Sequence, residues 1–244
     1  MIQDLKDQVV WITGAGTGIG EGAAIKLAEA GCKIALSGRR ISLLEEVADK
    51  LNTKNVSIHQ LDVSDNDAVV STVKDIIGKY GKIDIGVFSA GINVRNRNWP
   101  VISIEDWDSV ININLNGAFY CCQAVLPGMR TQGGGLIINI SSMAAKGVGK
   151  LTGPAYTSSK HAMNALTASL LLEERNNGIR ATAICPGEVA TPILEKRPVP
   201  VSPEDQARML QSEDLGDLVL FVAQQPPHVT LNEVLITPTW NRFE

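Results

Sequence analysis

The sequence predicts a doubly wound α/β fold: a mostly parallel sheet of seven strands with helices on both faces. Three observations carry that expectation. Short apolar runs alternate with helix-period segments from the start of the chain, the pattern of repeated strand–helix–strand units. The first run, Val9 to Ile12, passes through glycines 14, 16, 18 and 20 directly into a helical segment. No internal repeat, low-complexity run or linker divides the 244 residues, a length that suits one domain with a sizeable core. Residues 1–244 are therefore read as a single domain.

Val9, Val10, Trp11 and Ile12 are apolar without alternation, as in a strand covered on both faces. In the segment that follows, Ala23, Ala24, Leu27, Ala28 and Ala30 recur among Glu21, Lys26 and Glu29, and Gly31 stops the helix as a C-terminal cap. Lys33–Ser37 is a second strand, followed by a helix with Leu43, Leu44, Val47, Ala48 and Leu51 at helical spacing. Val56–Leu61 is a third strand; Ser64 is placed to cap a helix carrying Val69, Val70, Val73, Ile76 and Ile77. Ile83–Phe88 is a fourth strand. A long helix is expected over 107–129 and another over 154–175, with strands at 136–140, 180–185 and 233–236 and a last helix over 215–224. Residues 188–213, rich in proline and charge, read as a flap over a pocket.

At 44% hydrophobic and 20% charged residues, the composition is that of a soluble globular protein. A net charge of −4 argues against a nucleic-acid partner. No apolar run has the length of a membrane span, and the first residues do not resemble a signal peptide. Cys32, Cys121, Cys122 and Cys185 lack metal-ligand spacing, so no metal site is expected, and they read as small buried residues in a reducing cytoplasm.

Strand, glycine turn and helix together form a phosphate cradle. Glycine permits close approach of a diphosphate, and the free N–H groups at a helix start face its negative charge. The turn lacks the Gly-Lys-Ser/Thr ending of an ATP-type loop. In such sheets ligands bind beyond the carboxyl ends of the strands, where Thr13, Arg39, Asp62, Ser89, Ser141 and Ser142 fall. An NAD-selective fold carries an acid about 20 residues past the glycine turn; here Gly38-Arg39 stands in that region. An arginine suits a ribose 2′-phosphate, so NADP is favoured, with NAD the alternative. Tyr156 and Lys160, four apart, share one helix face, and a nearby ammonium favours the phenolate. Such a tyrosine can exchange a proton with an alcohol near neutral pH. The substrate pocket is expected among Asn93–Trp99, Met143–Leu151 and the 188–213 flap; Arg95 and Arg97 raise the reading of a carboxylate or sulfonate substrate, but are expected at the surface, the habit of arginine.

Thr13-Gly14-xxx-Gly18-Ile19-Gly20, Asp62-Val63, Ala90-Gly91, Asn114, Ser142, Tyr156-xxx-Lys160 and Pro186-Gly187 occur in the order of the short-chain dehydrogenases/reductases. By these motifs the chain resembles the short single-domain branch of that family, from about residue 5 to its end. The resemblance implies a Rossmann-like fold and reversible hydride transfer between a nicotinamide cofactor and a small carbonyl compound or secondary alcohol. It implies that Tyr156 is the general acid/base, that Lys160 lowers its pKa and holds the nicotinamide ribose, and that Ser142 binds the substrate oxygen. Asn114 would seat a water linking Lys160 to solvent. Cofactor contacts are implied at Gly14, Thr17, Gly18, Ile19, Arg39, Asp62, Val63, Ala90, Gly91, Tyr156, Lys160, Pro186, Val189 and Thr191. Family members commonly form dimers and tetramers, which implies a homo-oligomer here.

Three departures stand out. Ser89 replaces an asparagine that the family usually carries before Ala-Gly. Ser142 lies fourteen residues before Tyr156, one more than the family spacing, with Ser141 beside it. Asn114 is chosen over Asn112 and Asn116 by alignment. A catalytically silent dinucleotide-binding sensor is the competing function. A sugar-nucleotide epimerase would need a larger substrate domain than the residues after 187 supply.

Overall fold

In a computed structural model of the protein, residues 2–240 are described; residue 1 and residues 241–244, the ends of the expected domain, lie outside them. Seven parallel strands lie in the order β3-β2-β1-β4-β5-β6-β7. They are β1 Val9–Thr13, β2 Lys33–Gly38, β3 Val56–Gln60, β4 Ile85–Phe88, β5 Gly135–Ile140, β6 Ile179–Pro186 and β7 Glu233–Ile236. The sheet is parallel throughout. The strand order reverses between β1 and β4, whose ends pair Thr13 with Phe88, and such a switch point opens a crevice for ligands.

Alternate residues of each strand feed two separate cores. Val10, Ile12, Ile34 and Leu36 face α1 (Gly18–Glu29), α2 (Ile41–Lys50) and α8 (Ser212–Ala223). Val9, Trp11 and Ala35 face α3 (Asn66–Tyr80), α5 (Gly117–Thr131) and α6 (Pro154–Glu174). Trp11, fully buried, meets Phe88 edge-on at 5.3 Å, and its indole N–H donates to the Ser37 hydroxyl at 2.8 Å. The one polar atom of a large ring is thereby satisfied inside the core. All four cysteines are free and buried. Gly31, at φ +85°, follows the end of α1 as expected.

Two elements differ from the sequence reading. The long helix over 107–129 is α4 (Ile104–Ile111), one π-helical turn (Asn112–Asn116), then α5. Hydropathy periodicity does not register a one-residue widening of the helix, and such turns recur at functional sites. α3 is capped by Asp65, whose carboxylate accepts the Ala68 N–H at 3.0 Å, and not by Ser64. The hydroxyl of Ser64 instead donates to Asp62 at 2.7 Å. Smaller shifts are confined to element ends, where β4 starts at Ile85 and α8 at Ser212.

The segment from 188 to 211 leaves β6 and returns to the body at one bridge, Val189 beside Leu210. Ala190 N–H donates to the Leu210 carbonyl at 2.8 Å, and Leu210 N–H to the Glu188 carbonyl at 3.0 Å. Between these fastenings lie a 3₁₀ turn, Pro192–Lys196, and a short helix α7, Pro203–Ala207.

Candidate active site

The strand ends open into a cleft of about 560 Å³, within the ~300–1,000 Å³ usual for ligand sites. Its first wall is the glycine turn between β1 and α1. Gly14 sits at φ +64°, and a Cβ there would lie 2.8 Å from Ala90 N and 2.9 Å from Ala90 Cα. Gly18, at φ +59°, would place a Cβ 2.9 Å from the Thr191 methyl. Both positions need glycine, because the backbone is left-handed and neighbouring chain fills the space. The Thr13 hydroxyl accepts the Ala90 N–H at 3.3 Å, tying β1 to the β4 end.

Along the same wall, Asp62 accepts from Ser64 through one oxygen, while its other lies 4.0 Å from the half-exposed guanidinium of Arg39. Burial pushes the Asp62 carboxyl up, but the two Ser64 hydrogen bonds and then Arg39 outweigh it, and the group stays below its usual range. Val63 is buried against Gly117 at the start of α5.

The opposite wall carries the polar chemistry. Pro154 opens α6 behind Gly153, so Tyr156 lies in the first turn and Lys160 one turn on. The Lys160 ammonium donates to the Ile140 carbonyl at 2.8 Å and lies 5.6 Å from the centre of the Tyr156 ring. Burial pulls Lys160 down to about 8. Burial likewise pushes the Tyr156 phenol up, and a hydrogen bond with the Ser142 hydroxyl, followed by Arg97 and Arg197, draws it back down. The cations acting on the phenol therefore include two arginines that the sequence reading did not place there. Ser142 also accepts the Ala144 N–H at 3.1 Å. The Ser141 hydroxyl turns away, donating to Asn164 at 2.5 Å, so the extra residue before Tyr156 leaves Ser142 facing the phenol.

Of the residues that the resemblance implies, all line this one cleft except Asn114. Asn114 is wholly buried in the π-helical turn, behind the wall. Its carbonyl oxygen accepts the Ile92 N–H at 2.8 Å, and its amide nitrogen donates to the Ile92 carbonyl at 3.0 Å and the Ser159 hydroxyl at 3.2 Å. A Cβ added at Gly91 would lie 3.5 Å from the Asn114 amide oxygen and 3.7 Å from the Lys160 nitrogen. Asn112 and Asn116 bond each other at 2.8 Å on the exposed side.

The family model described as short chain dehydrogenase matches residues 8–199. A Staphylococcus aureus (strain USA300) protein described as an uncharacterized oxidoreductase is 35% identical over 234 residues, 96% of this chain and 98% of that one. The chain belongs to the short-chain dehydrogenase family. Two solved structures extend the likeness. An alcohol dehydrogenase from the archaeon Thermococcus sibiricus, complexed with 5-hydroxy-NADP, is 28% identical with a TM-score of 0.87, over 98% of this chain and 100% of that chain. A 3-ketoacyl-(acyl-carrier-protein) reductase from Brucella melitensis, complexed with NADH, is 25% identical with a TM-score of 0.88, over 96% and 98%. The protein is thus an oxidoreductase of this family, and these structural neighbours hold NADP-type and NAD-type nucleotides.

Within this dehydrogenase, the burial of one side chain of the cleft and the pairing of two others were not read from the sequence. Arg97, expected at the surface, is 5% exposed; Arg95 is exposed as expected. Arg197 and Glu188 form an ion pair at 2.8 Å within the 188–211 loop. Nothing in the spacing of 188 and 197 marks them as partners. Among the described residues, no group of three or more histidine, cysteine or acidic side chains is placed to hold a metal, and no helix is long and apolar enough to cross a membrane.

Proposed function

We propose that this dehydrogenase transfers a hydride reversibly between NADP(H) and a small carbonyl compound or secondary alcohol, with Tyr156 as general acid/base. The observation that carries this is the meeting of the Tyr156 phenol, the Ser142 hydroxyl and the Lys160 ammonium on a cleft whose other wall is the glycine turn. The turn fits a nucleotide diphosphate: Gly14 and Gly18 leave the backbone bare, and α1 starts at Gly18 with its N–H groups free for an anion. The nucleotide, when bound, supplies or accepts the hydride.

In reduction, the Ser142 hydroxyl donates a hydrogen bond to the substrate oxygen, and Tyr156 passes its proton to that oxygen as charge develops. A positive charge at Lys160 favours the phenolate that results and leaves ammonium hydrogens for ribose hydroxyls. Both amide hydrogens of Asn114 are committed, so a relay water beside Lys160 is seated by the second lone pair of its amide oxygen. Asp62 and the Val63 backbone serve the adenine. Thr191 and the Val189 backbone serve the carboxamide, and Arg39 serves the 2′-phosphate, which favours NADP over NAD. The 188–211 loop acts as a flap over the substrate. Exposed Phe119 on α5 and Leu172 on α6 support association of these helices in a homo-oligomer, a dimer or tetramer, and the cytoplasm is the compartment proposed.

The test is a titration with NADPH and NADH, followed by a carbonyl panel with wild type and Tyr156→Phe. Tighter NADPH binding is expected, with turnover reduced about 10²–10⁴-fold in the variant and nucleotide affinity retained. Tighter NADH binding refutes the role of Arg39. Absence of any wild-type turnover favours a silent nucleotide sensor.

A further inference from the structure

The buried guanidinium of Arg97 makes three hydrogen bonds, each to a different loop. Nε donates to the Val94 carbonyl at 2.7 Å, Nη1 to Leu151 at 3.2 Å and Nη2 to Lys196 at 2.5 Å. All three acceptors are neutral, and among the described residues no carboxylate pairs with it. Of the other buried charges, Glu174 has Arg130 and Arg197 has Glu188, while Lys160 bonds the Ile140 carbonyl and no carboxylate. Arg180 also bonds carbonyls alone, at Gln225 and Val229, but it lines no part of the cleft. A buried cation without a counter-ion is costly, and here it borders the space beside the phenol.

Two features give that cation a use. A guanidinium carries five N–H groups; three are spent, leaving two, one on each terminal nitrogen. A carboxylate can accept from both terminal nitrogens of a guanidinium, one through each oxygen. Arg97, Arg197 and Glu188 line the cleft together, and of these three side chains two are guanidiniums and one is a carboxylate, which leaves one positive charge over.

We propose that Arg97, supported by the Arg197–Glu188 pair, receives an anionic group on the substrate, so that the dehydrogenase acts on small oxo or hydroxy acids. The identity of the reacting carbonyl rests on the hydride-transfer reading above; the anion site does not. Because the same guanidinium gathers the loops at 94, 151 and 196, the substrate's charged end docks where the three loops meet. A carboxylate fits the planar fork best, and phosphonate or sulfonate analogues share the chemistry.

Two measurements separate the anion site from the reaction. With the preferred nucleotide, short 2-, 3- and 4-oxo acids are compared with their methyl esters. At least one acid is expected to exceed its ester by about tenfold in kcat/KM, mostly through KM, as befits a charge-assisted contact. In Arg97→Gln the ratio falls toward one, and Arg97→Lys restores part of it. Independently, the nucleotide-loaded wild type is titrated calorimetrically with propanoate and butanoate against their amides, and only the carboxylates are expected to bind. Esters reduced as well as acids, with no carboxylate binding, overturn the anion site and leave hydride transfer standing. Carboxylate binding without turnover of any compound supports the anion site and sinks hydride transfer. Neither binding nor turnover overturns both. The wild-type comparisons need no variant to fold.

Discussion

The glycine turn of the cleft is made by neighbours in the chain, whereas the facing loop wall is gathered from three distant segments. Residues 13 to 19 build the first wall with main chain, and the close approach of Gly14 to Ala90 holds it to the adjacent strand. The second joins 92–99, 143–153 and 188–211 through side chains, above all Arg97. Main-chain sites tolerate almost no added atom but need few specific side chains. Side-chain sites vary with every loop, which lets one scaffold accept different substrates.

That contrast is broken most severely by a single methyl group. Gly14→Ala is expected to lose about 2–5 kcal/mol in chemical denaturation, combining left-handed strain with a backbone clash that cannot relax, and to lose nucleotide binding with it. Val148→Ala in the 143–153 loop that carries part of the facing wall, where Val148 is 87% exposed, should stay within about 0.5 kcal/mol. Similar losses for the two would show that the walls are not built differently.

Lys160 lies on the wall opposite the glycine turn, and its protonation offers a subtler probe. Burial holds it at about 8, below its ordinary value, so at pH 8 the free protein carries it about half charged. An anionic nucleotide favours the charged form, so binding at pH 8 should take up a fraction of a proton, approaching about one half. At pH 6 the lysine is already charged and uptake from it should vanish. Calorimetry in buffers of different ionisation enthalpy measures this, and Lys160→Met should abolish it. Proton release at pH 8 would contradict the assignment.

The smallest effect concerns the cap that the sequence assigned to the wrong neighbour. Asp65→Ala should cost about 1 kcal/mol. Ser64→Ala should remain within about 0.5 kcal/mol, while the Asp62 carboxyl moves upward as it loses the Ser64 hydroxyl. Equal costs would restore Ser64 as the cap.

The sheet, its strand sequence and the glycine turn were legible because each depends on local pattern: continuous apolar runs, helix-period segments and glycines at fixed offsets. Tyr156 and Lys160 were legible by the same logic, since helix geometry puts residues four apart on one face. Asn114 was legible only through its place in the family pattern, and its burial behind the wall was not. Its π-helical turn leaves no mark in hydropathy. Ser64 and Asp65 are adjacent cap-forming residues, and propensity cannot choose between them when one is drawn to another acceptor, here Asp62.

Arg97 marks the boundary between the two kinds of information. By itself the sequence determined a parallel seven-stranded sheet, a glycine turn at the end of β1, and a tyrosine and lysine on one helix face, because backbone periodicity and steric freedom act over a few residues. The tertiary structure alone decided that an arginine from a polar loop is buried, that Leu151 and Lys196 supply its acceptors, and that Arg197 folds back on Glu188. Those contacts bridge 54, 99 and nine positions of chain. Local propensity does not reach that far; only packing brings such groups together.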